Sequence, residues 1–542
     1  MAKKKVRSGK RRDSEKKKRS FSKSHPRAAE LVWDVLCLGA LVAATVLVYH
    51  RATHYFFSQD DFTSLWIARE SPKTFWRILS SFVYFRAANS LFGLNPVAFH
   101  VAAFLFHILN GFLVFLVARA FSAGRTTSLL AATLFAVHPS LYVPVYAISS
   151  IGEILSCLFV LLAALYLLRA GKPEGLAGIP VVCVLFVASL LSKETTIAFP
   201  ILAVFIFVAR GVKIKKAAPV LVALVAVAVV YGIFFYSADV FGIKGVFANA
   251  LGSKGASTQG GAYATTLGPE LITSLQTYFK WALNVFDAWK DVQFNVLDKR
   301  ALGWLLVGVA FFLLLIVGRG SHRVKSAYCI LWFLLMLLPV IPLMSHPYHY
   351  YLYVPLAGFC PALAVLLARW FKKSRGEALA SMCIIVFFVA NSALLMSKIE
   401  RATIADSARR KDPVFDRAIV AKNLISDLRE LQIPAGTRLL LISPLKEIRE
   451  RKITENAFLT WGGSYWDNNL RSAVAEGLGI RLFFSQVDTV AFANEATQEF
   501  KDFLAIGYLW DGHLRFDTLQ EPSAEGDPSR SQKAHLKQRD ES

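Results

Sequence analysis

Two adjacent carboxylates, Asp60 and Asp61, stand in the segment SQDDF shortly after the first strongly apolar block of the chain. Such a pair has two chemical uses. It offers the hard oxygen donors a divalent cation takes, and one carboxylate can act as general base beside the other. Asp is also favoured at helix starts, so the pair equally reads as the cap of DFTSLWIARE. Lys193–Glu194 fills a tight connection between two apolar blocks. An interfacial ion pair is the simple reading, and a lysine fixed at a membrane surface is also a partner for phosphate. Arg77 and Arg86 lie in an aromatic and basic stretch suited to headgroup level, where a guanidinium meets a lipid phosphate.

His100, His107 and Asn110, at i, i+7 and i+10, share one side of a helix. That polar stripe must face protein or water rather than lipid, and helix–helix hydrogen bonding accounts for it as readily as chemistry. His138 precedes Pro139, and Glu153 opens the next apolar block. The run SHPYHYYLYVP gathers His346, Tyr348, His349, Tyr350 and Tyr351. An interfacial aromatic belt explains the tyrosines better than the histidines. No cofactor is indicated, and the place for a divalent cation is Asp60–Asp61.

The elements that must position these residues are membrane helices. The chain is 55% hydrophobic over 542 residues, with a mean hydropathy of +0.45. Its apolar residues come in blocks of about 17–22, enough to cross roughly 30 Å of hydrocarbon. They predict about eleven helices, near 31–49, 98–118, 127–146, 149–168, 176–192, 196–209, 217–236, 301–317, 327–344, 352–370 and 378–396. With the N-terminus in the cytoplasm, the inside connections 119–125, 169–172, 210–216, 319–325 and 369–375 are all short and basic, as the positive-inside rule requires. The candidate residues named above then fall mainly at outside ends. A further helix, 269–289, fits the interface better than a span. The Gly/Ser/Thr-rich stretch before it reads as a loop that orders on a ligand.

The formal net charge of +23 is concentrated in residues 1–28 and the short loops, which points to anionic lipid rather than nucleic acid. The basic start lacks signal-peptide character, so the first apolar block should stay as a helix. All six cysteines lie in apolar blocks, with neither a disulfide framework nor CxxC spacing. The expected division is a basic cytoplasmic tail (1–28), a transmembrane part (29–398), an outside soluble α/β part (399–520) and a polar tail (521–542). Within the α/β part we expect helices over 413–431 and 468–477, strands over 438–443 and 481–484, and a hairpin around Asp511–Gly512. Trp461 and Trp466 in WGGSYWDNN offer a sugar-stacking surface or, more simply, core.

With these pieces in hand, the chain resembles the GT-C superfamily of membrane glycosyltransferases, in its protein O-mannosyltransferase-like and undecaprenyl-phosphate sugar transferase branches. SQDDF, GLNPVAFHVAAFLFHILNGFLVFLV, LLAATLFAVHPSLYVPVYAISSIGEILS, SKETTIAFP and YLYVPLAGF occur in the family's order over roughly residues 31–370. The resemblance implies inverting transfer of a sugar from a polyprenyl-phosphate donor to a protein, lipid or glycan acceptor outside the cytoplasmic membrane. Carried over by position, Asp60 or Asp61 is the acid/base, and Lys193 contacts the phosphate with Glu194 as the partner that orients Lys193. One departure stands out: where many relatives place an Arg before the YLY-type segment, this chain has His349–Tyr350–Tyr351, and Arg77 or Arg86 would have to compensate. A flippase of lipid-linked sugars would instead show broken helices and mid-membrane charges, and a non-catalytic scaffold would tolerate loss of the Asp pair.

Overall fold

The computed structural model describes residues 26–69, 76–121, 124–170, 177–237, 268–283, 302–316, 321–343, 347–371, 376–403, 409–443, 470–509 and 511–522. His346, both tails, the Gly/Ser/Thr-rich loop and the Trp461–Trp466 segment lie outside them.

The long helices are α1 (Pro26–Tyr49), α4 (Pro96–Ala120), α7 (Ile151–Arg169), α10 (Ile214–Ser237), α14 (Tyr353–Phe371) and α15 (Gly376–Arg401). Before α4 come two short helices, α2 (Asp60–Arg69) and α3 (Tyr84–Phe92). Among the described residues, six helices are long and apolar enough to cross a membrane unaided. The segment expected as one span over 127–146 is instead α5 (Arg125–Ala136) and α6 (Tyr142–Tyr146), bent by 50° around His138–Pro139. Pro139 cannot donate to a helical ladder, so the break falls there. Counting that pair as one gives seven spans. Four expected spans form shorter apolar helices: α8 (Gly178–Ser192), α9 (Phe199–Ala209), α12 (Leu302–Ile316) and α13 (Ser321–Leu337). The protein is a mostly helical, multi-pass membrane protein. Between the spans, α11 (Glu270–Leu283) buries one face.

Burial sorts the bundle. α7 and α14 are 72% buried and central, whereas α1 and α10 are 28% and 22% buried and turn Val and Leu rows outward, as lipid-facing helices do. The two ends of the bundle differ in chemistry. At one end, Arg210 donates to the carbonyls of Leu167 (2.6 Å) and Ala170 (2.8 Å), Arg169 to Leu116 (3.3 Å), and Arg125 pairs with Asp34. These are the short basic connections read from sequence, gathered on one face. The acidic and aromatic turns occupy the opposite end.

Beyond α15 come α16 (Pro413–Glu430), β1 (Thr437–Ile442), α17 (Leu478–Phe483), β2 (Val487–Ala493), β3 (Leu504–Tyr508) and β4 (Leu514–Gln520). The sheet order is β2-β1-β3-β4, with β1 parallel to both neighbours and β3 antiparallel to β4. The central strand, TRLLLI, buries Leu439, Leu440 and Leu441 in succession, the pattern of a strand covered on both faces. The hairpin turns at Gly512, whose φ of +95° suits only glycine well.

Of residues 481–484, expected as a strand, 481–483 are helical and Phe484 ends the helix, and the strand is β2 instead. A short apolar run such as RLFF has no period of its own. Packing decides it: Gly479 lies so close to Phe62 that a Cβ would come within 2.8 Å of that ring, and Phe483 meets Phe56 at 5.4 Å. Of the helix expected over 468–477, residues 468–469 lie outside the described residues, 470–473 are helical, and left-handed Ala475, Glu476 and Gly477 follow where the helix was expected to continue.

α16 is fixed by two carboxylates. Asp412 caps it through Val414 N–H (2.8 Å) and accepts from the Tyr142 hydroxyl (2.7 Å). Asp416 takes a bidentate, fully buried pair from Arg409. Removing one partner strands a buried charge, which costs about 3–5 kcal/mol. Asp416→Ala is therefore expected to lower the melting temperature of the purified protein clearly, while Asp517→Ala, in an exposed pair with Arg515, leaves it unchanged.

Candidate functional site

The site begins where α2 begins. Gln59 adopts a left-handed backbone (φ +47°), and its neighbours Asp60 and Asp61 form the first turn. Asp61 is buried, and both of its oxygens are occupied: Ser58 N–H donates to one at 3.0 Å and Ser149 N–H to the other at 2.6 Å. Burial pushes its carboxyl up to about 7, against the pull of those N–H groups. Asp61 thus ties the loop after α1 to the start of α7. Asp60 is different. Its side chain is exposed, but to a recess walled by protein. Burial raises its carboxyl, and Arg417, Arg77 and Lys193 oppose that rise.

Arg77 is held in the left-handed region (φ +50°), an uncommon conformation for a non-glycine residue and one that aims its side chain. Its Nε donates to Glu194 at 2.9 Å and a second nitrogen completes the bidentate pair, while Trp76 covers the guanidinium at 4.5 Å. Burial would raise Glu194, but the charge and hydrogen bonds of Arg77, with help from Lys193, bring it down to about 2. Lys193 Nζ sits 2.9 Å from Glu153 at the start of α7 and 4.9 and 5.4 Å from the ring centroids of Tyr350 and Tyr351, a cation–π roof. Burial and Arg77 lower the Lys193 ammonium; Glu153 and Glu194 counter them. The Lys193 turn can approach α7 because Gly152 has no side chain: a Cβ there would lie 2.9 Å from the Ser192 carbonyl.

The structure therefore brings together Asp60, Asp61, Arg77, Glu153, Lys193, Glu194 and Tyr350. It leaves the remaining sequence candidates in other work. Arg86 sits on an exposed helix face, donating to the Ala68 carbonyl (3.3 Å) with Phe82 at 5.5 Å. His100 Nε2 donates to the Tyr55 carbonyl (3.2 Å). His107 Nε2 faces the Ala136 carbonyl (2.8 Å), so it carries the hydrogen, and Nδ1 accepts from the Tyr353 hydroxyl (2.7 Å). Asn110 joins the same hydroxyl and the Ile154 carbonyl (2.8 Å). His138 accepts from Ser140 N–H and donates to Ala282, fastening α11 to the break between α5 and α6. His349 stacks on Trp281 of α11 at 4.1 Å, leaving its neighbours Tyr350 and Tyr351 to face Lys193.

The sequence reading missed Arg417, which carried no local signal because it lies over 350 residues from Gln59, its partner. It also missed Glu400, which receives the Tyr146 hydroxyl and Arg51 at 3.0 Å. A divalent cation does not fit this arrangement well: each Asp61 oxygen already accepts an N–H, three cations act on Asp60, and among the described residues no group of three or more His, Cys, Asp or Glu stands together to hold a metal. Chemically the recess suits an anion next to a single accessible carboxylate.

The buried ion pair gives a direct check. Lys193→Met strands Glu153 and is expected to cost about 3–5 kcal/mol, seen as a fall in melting temperature. Combining it with Glu153→Gln should restore most of that stability, a coupling that independent sites do not show.

Comparison with known proteins follows this geometry in part. Residues 81–235 match the family described as dolichyl-phosphate-mannose-protein mannosyltransferase. That segment includes Glu153, Lys193 and Glu194 and stops short of Asp60, Asp61 and Arg77. Protein O-mannosyl-transferase Tmtc1 of Drosophila melanogaster is 34% identical over 105 residues, 19% of this chain and 12% of that protein. The chain thus spans about an eighth of that relative's length. Among solved structures, ArnT from Cupriavidus metallidurans bound to undecaprenyl phosphate aligns with 12% identity over 88% of this chain and 93% of that one, at a TM-score of 0.48. The Archaeoglobus fulgidus oligosaccharyltransferase tethered to an acceptor peptide aligns with 12% identity over 85% and 64%, at 0.45. Residues 81–235 carry the mannosyltransferase pattern, in agreement with the protein O-mannosyltransferase-like branch of the resemblance read from the sequence.

Proposed function

We propose that this protein is a membrane glycosyltransferase that moves a sugar from a polyprenyl-monophosphate donor to a hydroxyl acceptor. The observation that carries the reading is the recess at Asp60: one accessible carboxylate beside Arg77 and Lys193, with Glu194 and Glu153 holding the cations in place. The family described for residues 81–235 supports a lipid-phosphate sugar as donor.

In this reading the acceptor oxygen forms a bond to the anomeric carbon as the bond from that carbon to the phosphate oxygen breaks. The acceptor proton passes to Asp60, and the electron pair of the broken bond leaves with the phosphate. General base catalysis of this kind contributes about 10²–10⁴-fold. Lys193 and Arg77 stabilise the charge that gathers on the departing phosphate, and they do so from fixed positions, with little reorganisation left for the reaction itself. Attack opposite the leaving group inverts the anomeric configuration. Asp61 takes no proton here; it holds the loop that presents Asp60. The acceptor is a protein, lipid or glycan hydroxyl.

Orientation follows from charge. The face bearing Arg119, Arg169 and Arg210 lies in the cytoplasm, so the recess and the sheet beyond α15 face outward across a cytoplasmic membrane. Residues 29–398 form the transmembrane part and 399–520 the outside part.

The test is turnover. Purified wild type in lipid nanodiscs, given a panel of undecaprenyl- and dolichyl-phosphate hexoses with crude membrane as acceptor, should liberate polyprenyl phosphate. Asp60→Asn should reduce that rate by about 10²–10⁴-fold with donor affinity retained. A wild type that binds donor and consumes none, or an Asp60→Asn protein as fast as wild type, would sink the proposal.

A further inference from the structure

Arg417 belongs to α16, in the part of the chain beyond the membrane helices, yet its side chain ends at the recess. Nη1 donates to Gln59 Oε1 at 2.5 Å, and Gln59 is the residue before Asp60. The same loop is held a second time from the C-terminal side, by Gln59 N–H donating to the Ala473 carbonyl at 2.8 Å. α16 is itself immobilised by Asp412 on Tyr142 and Asp416 on Arg409. Phe415 adds a third attachment, with Tyr55 and Tyr146 rings each 4.9 Å from its own. The guanidinium therefore stands on a rigid element, directed at a strained residue that immediately precedes the accessible carboxylate.

We infer that Arg417 is a positioning residue for the transfer reaction, holding Gln59 and the Asp60 carboxylate in register with the recess, so that the C-terminal part completes the active site. This rests on the reading of Asp60 as the base. The groups acting on Asp60 are Arg417 from α16, Arg77 from the stretch before α3 and Lys193 from the turn after α8, with Asp61 next to it on α2. Among the charges, Arg417 leads. Each of the three cations favours the ionised carboxylate, so losing Arg417 raises the Asp60 carboxyl. The base is then protonated over a wider range, and the acidic limb of the rate profile moves to higher pH.

The experiment is a pH profile of kcat/KM for the undecaprenyl- or dolichyl-phosphate hexose used best by the full-length protein. Wild type, Arg417→Gln, Arg417→Lys and Asp60→Asn are compared. Arg417→Gln should lose about tenfold on the acid side and recover at higher pH, and Arg417→Lys should stay near wild type. A profile lowered equally at every pH marks a purely structural role and overturns the inference. A second measurement needs no turnover: infrared titration of the carboxyl band that disappears in Asp60→Asn. That band should titrate at higher pH in Arg417→Gln than in the protein with Arg417, and an unmoved band overturns the inference. Turnover that survives in Asp60→Asn removes the proposed base, and this role for Arg417 with it. Turnover lost in Asp60→Asn beside a parallel Arg417→Gln profile removes the Arg417 role alone.

Discussion

A lysine ammonium enclosed by apolar helices is tenable only beside a carboxylate, because the desolvation of an isolated charge costs several kcal/mol. The Lys193–Glu153 pair, 2.9 Å apart, meets that constraint, and much of the surrounding architecture follows from it. Glu153 stands on α7, one of the two most enclosed of the six long helices. For the Lys193 turn to reach it, residue 152 has to be glycine-small and the turn must be tied down. Ser156 and Ser189 do this with hydroxyl bonds to the carbonyls of Lys193 (3.2 Å) and Ser156 (2.8 Å), and Ser189 also meets Thr196 at 2.8 Å. Tyr350 and Tyr351 close the ammonium from above. The result is a positive charge fixed in place at one end of the bundle.

The second requirement is to place a carboxylate opposite that charge without letting the two collapse into another ion pair. Division of labour between Asp60 and Asp61 achieves this. Asp61 spends its oxygens on backbone N–H groups and sets the loop; Asp60 stays accessible. The loop is then pressed from the far side by Ala473, Gly479 and Arg417. Tyr142 and Tyr146, one helical turn apart on α6, donate their hydroxyls to the carboxylates of Asp412 and Glu400, so the bend at His138–Pro139 is also what carries α16 to its place. The charged groups at this end form one connected structure that spans both parts of the chain.

Much of this was legible in the sequence, and the parts that were not share a cause. Apolar block lengths and basic loops locate the helices, because membrane thickness and charge asymmetry act on each segment locally. Asp60–Asp61 and Lys193–Glu194 were recognisable as polar residues at costly positions. The histidines were equally conspicuous, yet His107 and His138 serve helix packing; a polar residue inside a bundle looks the same in sequence whether it meets a substrate or a carbonyl. Arg417 and Glu400 were invisible for the opposite reason: each is an ordinary residue locally and acquires its role from a partner hundreds of positions away. The 481–484 run shows the same limit for structure, since its helix is chosen by Phe56 and Phe62 rather than by its own pattern.

The central claim, that the end of the bundle bearing Lys193 and Asp60 takes the lipid phosphate, is tested most directly by a cryo-electron microscopy structure of the protein with undecaprenyl phosphate. The account predicts the phosphate in the recess, within hydrogen-bonding reach of Lys193 or Arg77 and with the Asp60 carboxylate facing it. A phosphate bound at the opposite end, against Arg119, Arg169 or Arg210, would contradict it.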